Sequence, residues 1–141
     1  MLTCLSDYLY KTAKKIEFSR KNAWGYLVSI DISDCNPEKI RDKKTIEKYI
    51  KELSKVIDCH LYGPPIIARI GEGERLWGFS FVQLVTTSSL TGHFVEDTNS
   101  AYIDIFFCNY FDPDKAVKFT QDYFEAKKVK AHTLTRGSKN E

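Results

Sequence analysis

The sequence predicts an α+β fold, a two-layer sandwich in which a mainly antiparallel sheet carries two helices on one face. Three observations lead there. The segments run in the order strand, helix, four strands, helix, strand. The four central strands follow one another closely, which argues for an antiparallel or mixed sheet. Both helical segments open on an Asx-Pro pair, Asn36-Pro37 and Asp112-Pro113, with the Asx side chain as cap and proline in the first turn. The 141 residues suit one domain, and the 43% apolar content is enough to give it a core.

Residues 1–23 form a lead-in, amphipathic or frayed, with no role assigned. The domain spans 24–137 and a tail spans 138–141. Trp24 to Ser33 alternates β-branched and aromatic residues with small polar ones, so it is a strand. From Pro37 the apolar positions Ile46, Tyr49, Ile50, Leu53, Val56 and Ile57 recur on one helical face, with an end near Asp58 to His60. Gly63-Pro64-Pro65 breaks the chain. Strands follow at Ile66–Ile70, Trp77–Val85, Leu90–Val95 and Tyr102–Phe107. The second helix carries Val117, Thr120, Tyr123 and Phe124 inward, and Val129 to Thr135 makes the last strand.

The net charge is only +2, so no strongly charged partner follows from it. Basic residues concentrate at the two ends (Lys11, Lys14, Lys15, Arg20 and Lys21; Lys127, Lys128, Lys130 and Arg136). No recognition motif accompanies them, so they are read as solvated ends and not as a nucleic-acid surface. Cys4, Cys35, Cys59 and Cys108 stand singly, with no CxxC pair and no zinc spacing to the three histidines, so no metal is expected. Scattered single cysteines, no signal-like apolar stretch and no membrane-length apolar run predict a cytoplasmic protein without a membrane partner.

The unusual stretch is Thr86-Thr87-Ser88-Ser89-Leu90-Thr91-Gly92-His93, where hydroxyl side chains crowd beside a histidine between two strands. On composition alone a polar strand turn accounts for it. The motif Ser88-x-Leu90-Thr91-Gly92-His93, the block Ala101 to Cys108, the following Asp112-Pro113, the upstream Ile30 to Pro37 and the closing Arg136-Gly137 together resemble the small prokaryotic pyruvoyl-dependent S-adenosylmethionine decarboxylases. The family places a histidine five residues after its reactive serine, a cysteine twenty after it and an assisting serine eight before it. Ser88, His93, Cys108 and Ser80 hold those separations.

The resemblance implies a self-processing proenzyme and a role in polyamine synthesis. Ser88 Oγ would attack the Thr87 carbonyl, and Ser80 would donate to the developing oxyanion. His93 would take the Ser88 α-proton. Cleavage between Thr87 and Ser88 would leave a pyruvoyl group, the cofactor, on the fragment 88–141. Loss of carbon dioxide from an amino acid needs such an electron sink. Cys108 would return a proton to the α-carbon; read alone, it is a buried strand cysteine. The family's chains pair as homodimers of processed protomers, with sites near the shared interface.

The chain departs from the family pattern near the substrate. Thr87 and Ser89 flank Ser88 where glutamate and histidine are usual. The acidic ribose-binding residue falls on Asp97, with Glu96 as a substitute. Glu74 stands where an adenine-stacking aromatic is expected, leaving Trp77 or Phe79 for that role. Two alternatives stay open: a pyruvoyl decarboxylase of ornithine or arginine, and an uncleaved homologue acting as a partner subunit or ligand binder.

Overall fold

The computed structural model describes residues 2–139, with side chains from residue 5; residues 1, 140 and 141 of the anticipated lead-in and tail lie outside the described residues. Helix α1 (Leu2–Arg20) precedes strand β1 (Gly25–Ser33), the short helix α2 (Pro37–Ile40) and helix α3 (Lys43–Val56). Strands β2 (Ile66–Ile70), β3 (Gly78–Val85), β4 (Ser88–Val95) and β5 (Ser100–Phe107) follow, then helix α4 (Pro113–Tyr123) and strand β6 (Lys128–Arg136). The sheet order is β2-β3-β4-β5-β1-β6. Every neighbouring pair is antiparallel.

Alternation along the strands sorts the residues onto two faces. Tyr26, Val28, Ile30 and Ile32 of β1, Phe79 and Phe81 of β3, Leu90 and Phe94 of β4, and Ile103 and Ile105 of β5 are buried. They meet Ile46, Tyr49, Ile50 and Leu53 of α3 and Ala116 and Thr120 of α4. Tyr49 lies at the centre, with ring centroids 4.7 Å from Phe124 and 5.8 Å from Phe119. Its hydroxyl pairs with the Thr120 hydroxyl at 2.8 Å, which satisfies both buried groups. At Gly92 a Cβ would run into the Phe81 ring, so glycine lets the two strands hold that ring between sheet and helices.

Two expectations change. The anticipated single helix after Pro37 is two. Asp42 accepts the Thr45 N–H at 2.8 Å and restarts the chain as α3, because a well-made cap satisfies the exposed N–H groups of a new first turn. The lead-in is a helix of 19 residues. It is fixed to the domain by Phe18, whose ring lies 5.8 Å from Tyr26 and 5.7 Å from Tyr110, and by Lys11 and Lys14, which pair with Asp112 and Asp114 at 3.5 and 3.6 Å. Within the described residues no helix is long and apolar enough to cross a membrane.

The face of the sheet away from α3 and α4 is open. Val82, Leu84, Tyr102 and Leu134 lie on it, and each is roughly half exposed. One cross-strand row there runs Leu84, Ser89, Phe106, Leu27 and Leu134.

Candidate active site

A two-residue turn, Thr86-Thr87, joins β3 to β4. Thr87 has φ of 61°, in the left-handed region. A β-branched residue is a true outlier there, because its side chain crowds the backbone, and such positions cost about 1–3 kcal/mol. The turn is held on several sides. The Thr86 N–H donates to the His60 carbonyl at 3.1 Å, and the Tyr62 N–H to the Leu84 carbonyl at 2.8 Å. The Thr87 hydroxyl donates to the Thr86 carbonyl at 2.7 Å and lies 2.8 Å from Cys108 Sγ. Ser88 Oγ accepts the Cys108 N–H at 2.8 Å. Thr87, Ser88 and Cys108 therefore gather at one end of β4.

Ser80 and His93 meet elsewhere. They are direct cross-strand partners, and Ser80 Oγ lies 2.9 Å from His93 Nδ1. Their chain neighbours Phe79, Phe81 and Phe94 turn into the core, so the pair stands on the open face. Which atom donates depends on the imidazole tautomer. His93 lies five steps along the strand from Ser88, about 17 Å at roughly 3.3 Å per residue. The odd interval also gives the two side chains opposite parity along β4. The expected proton transfer from Ser88 to His93, and the donation from Ser80, are thus out of reach within one chain.

Beyond His93 the strand leads to a groove of about 580 Å³, with Arg41, Glu74, Trp77, Glu96 and Asp97 among its lining residues. A Cβ at Gly78 would meet the Phe94 carbonyl; glycine lets the chain pass close enough for the Glu96 N–H to donate to the Trp77 carbonyl at 3.1 Å. Glu96 is fully engaged. Arg69 grips its carboxylate with two hydrogen bonds of 2.8 Å, and Arg41 Nε lies 3.7 Å from it. The Arg69 hydrogen bonds hold the Glu96 carboxyl below its ordinary pKa, against a smaller opposing effect of burial. Among the described residues no side-chain hydrogen bond or ion pair engages Asp97 or Glu74. Trp77 is 37% exposed, whereas Phe79 is 9% exposed and belongs to the core.

Cys35 and Cys59 are free thiols pushed up to about 11 by burial, which suits inert packing. Among the described residues no three His, Cys, Asp or Glu side chains cluster as metal ligands would.

The description of the S-adenosylmethionine decarboxylase family matches residues 26–137. The chain belongs to that family. Two similar curated relatives are S-adenosylmethionine decarboxylase proenzymes. The one from Sulfurisphaera tokodaii is 30% identical over 106 residues, 74% of this chain and 82% of the relative. The one from Pyrococcus furiosus is 27% identical over 118 residues, 83% and 81% of the two chains. The crystal structure of the adenosylmethionine decarboxylase from Aquifex aeolicus has the same fold, with a TM-score of 0.68 at 17% identity over 82% of this chain and 92% of that one.

In this S-adenosylmethionine decarboxylase family member the resemblance implied Ser80, Ser88, His93 and Cys108 as one reactive set, and the structure places them in two groups, Ser88 with Cys108 and Ser80 with His93. It also missed Arg69 and Arg41. Their partner, Glu96, lies 27 and 55 residues away in sequence, so no local pattern could reveal them.

Proposed function

We propose that this chain is a self-processing proenzyme that breaks its backbone between Thr87 and Ser88, forms a pyruvoyl group from Ser88 and decarboxylates S-adenosylmethionine. The observation that carries the proposal is the left-handed Thr87 directly before a serine whose Oγ is held by the Cys108 N–H. That peptide is strained, and its attacking oxygen is already fixed in place.

The residues fit the making of the group. Ser88 Oγ attacks the Thr87 carbonyl carbon; the C–N bond breaks, the nitrogen gains a proton, and an ester replaces the amide. Removal of the Ser88 α-proton by an imidazole then expels the Thr87 carboxylate from Cβ and leaves an unsaturated residue. Addition of water and loss of ammonia complete the new terminus. Fragments 1–87 and 88–141 result. The pyruvoyl group, once formed, supplies the electron sink for loss of carbon dioxide. Cys108 Sγ, held beside this terminus, carries the proton returned to the substrate α-carbon. Trp77 offers a flat surface to adenine, and Asp97 offers an unpaired carboxylate to the ribose hydroxyls.

The imidazole comes from a second copy. Ser88 and His93 sit at opposite ends of β4. A two-fold axis that sets the open faces of two sheets together and reverses β4 brings the Ser88 end of one copy to the His93 end of its partner. Both centres then form at once, which is the economy of an isologous interface. The half-exposed Val82, Leu84, Tyr102 and Leu134 supply the apolar surface such a contact needs.

Intact-mass measurement tests the first step: two fragments are expected. A sole full-length mass after long incubation refutes it and leaves an uncleaved binding protein. Release of labelled carbon dioxide from carboxyl-labelled S-adenosylmethionine, and not from ornithine or arginine, tests the substrate.

A further inference from the structure

The groove beside His93 contains an arrangement that the reaction scheme above does not use. Arg69 sits on the edge strand β2, opposite Phe79 of β3. Its guanidinium makes a fork-to-fork contact with Glu96, both hydrogen bonds at 2.8 Å. The same guanidinium carbon lies 4.9 Å from the centre of the Trp77 ring. Trp77 lines the groove and Arg69 does not, so the cation backs the indole from the far side. Arg41, which caps α2, donates to the Glu96 carbonyl at 2.7 Å and to Asn99 Oδ1 at 3.0 Å. Two arginines from separate elements thus fix the loop after β4, and one of them also fixes the tryptophan.

We infer that Arg69 is a positioning residue for substrate binding: it holds Trp77 in place as the stacking surface and occupies the Glu96 carboxylate, which leaves Asp97 as the carboxylate that meets the substrate. The inference rests on S-adenosylmethionine being the substrate. The physical reason is geometric. Only a planar, always-charged fork can pair both oxygens of a carboxylate and lie along an aromatic ring at the same time. Lysine, a point charge, can do one or the other. Without Arg69 the indole loses its backing, and the Glu96 carboxylate, left with Arg41 alone, competes with Asp97 for the ligand. Arg69 touches neither Ser88 nor Cys108, so self-cleavage does not depend on it.

The test uses Arg69→Met and Arg69→Lys in the full-length chain. Both are expected to cleave completely by intact mass. Arg69→Met is expected to raise KM for S-adenosylmethionine about tenfold with kcat within about twofold, since uniform binding is what it removes. Arg69→Lys should recover less than half of that loss. A second measurement does not depend on turnover. In a Ser88→Ala, Trp24→Phe protein, Trp77 is the single tryptophan, and its fluorescence reports binding of 5′-methylthioadenosine, which carries the adenine and ribose of the substrate with a neutral thioether in place of its sulfonium. Arg69→Met should weaken that binding about tenfold. Unchanged KM and binding overturn the inference. So does a loss of cleavage, kcat and thermal stability in parallel, which marks a merely structural residue. If the protein with Arg69 intact fails to bind 5′-methylthioadenosine, the substrate reading itself is overturned, and the inference falls with it.

Discussion

Replacing Thr87 with glycine separates strain from chemistry at the scissile bond. At φ of 61° glycine is at ease, whereas threonine carries about 1–2 kcal/mol of backbone cost. That cost sits in the folded proenzyme. If it is released as the Thr87 carbonyl becomes tetrahedral, it speeds cleavage, and its removal slows the step by about 5- to 30-fold at 1.36 kcal/mol per factor of ten. Glycine also raises the entropy of the unfolded chain by about 0.5–1 kcal/mol, but cleavage starts from the folded state and does not feel that term. Thr87→Val is the matched control. It keeps the β-branch and the strain and removes the hydroxyl that reaches Cys108 Sγ. Its cleavage should stay within about threefold of the parent, short of the 5- to 30-fold slowing expected for glycine. The assay is the decay of full-length mass after rapid synthesis. Glycine cleaving as fast as threonine refutes the strain argument. Valine slowing as much as glycine shifts the cause to the hydroxyl.

Four further outcomes are expected. Cys108→Ala should still cleave while its turnover falls by two to three orders of magnitude, on the order of a lost general acid, measured as carbon dioxide release. Co-expressed Cys108→Ala and His93→Ala chains should regain about a quarter of wild-type turnover, since half of the pairs are hybrids by isologous pairing and each hybrid holds one intact centre; no recovery contradicts a shared site. Tyr49→Phe should lower stability by about 0.5–1.5 kcal/mol in denaturant titration, because the Thr120 hydroxyl keeps its bond to the Ala116 carbonyl and only one hydrogen bond is lost. Glu96 has a folded pKa below its ordinary value of 4.5, so its contribution is full above that value and fades as pH falls through the folded one. Glu96→Gln should therefore melt lower than the parent at pH 7, and the two should converge in strong acid.

Periodicity carried most of the fold into view. The inward set Ile46, Tyr49, Ile50 and Leu53 repeats at helical spacing, and Val28, Ile30 and Ile32 repeat at strand spacing, because each must face one core. The lead-in helix was not legible for the same reason. Leu5, Leu9 and Ile16 remain exposed, so no apolar stripe announces a buried face. Its anchors are Phe18 on Tyr26, across the turn into β1, and two lysines on Asp112 and Asp114, pairs so far apart in the chain that no window can hold them. The break at Arg41 rests on one side chain: Asp42 falls inside the stretch that periodicity joins into a single helix, and its carboxylate has the chemistry of a cap.

The site was legible in residue type and illegible in reach. Five residues on a helix rise only about 7.5 Å, less than half the reach the same five need on a strand. The same five on a strand span about 17 Å, and an odd interval turns them to opposite faces. A spacing motif is silent about which of these holds. Once β4 is seen to be extended, the four residues resolve into Ser88 with Cys108 at one end and Ser80 with His93 at the other. In the proposed dimer the two half-sites at opposite ends of β4, each lacking what the other has, meet a partner that presents them in reverse order. A second copy of the same chain, turned end for end, is the simplest object that does so. On that proposal the spacing serves two constraints: strand pairing sets Ser80 against His93 within a copy, and the proposed two-fold axis would set His93 against Ser88 between copies.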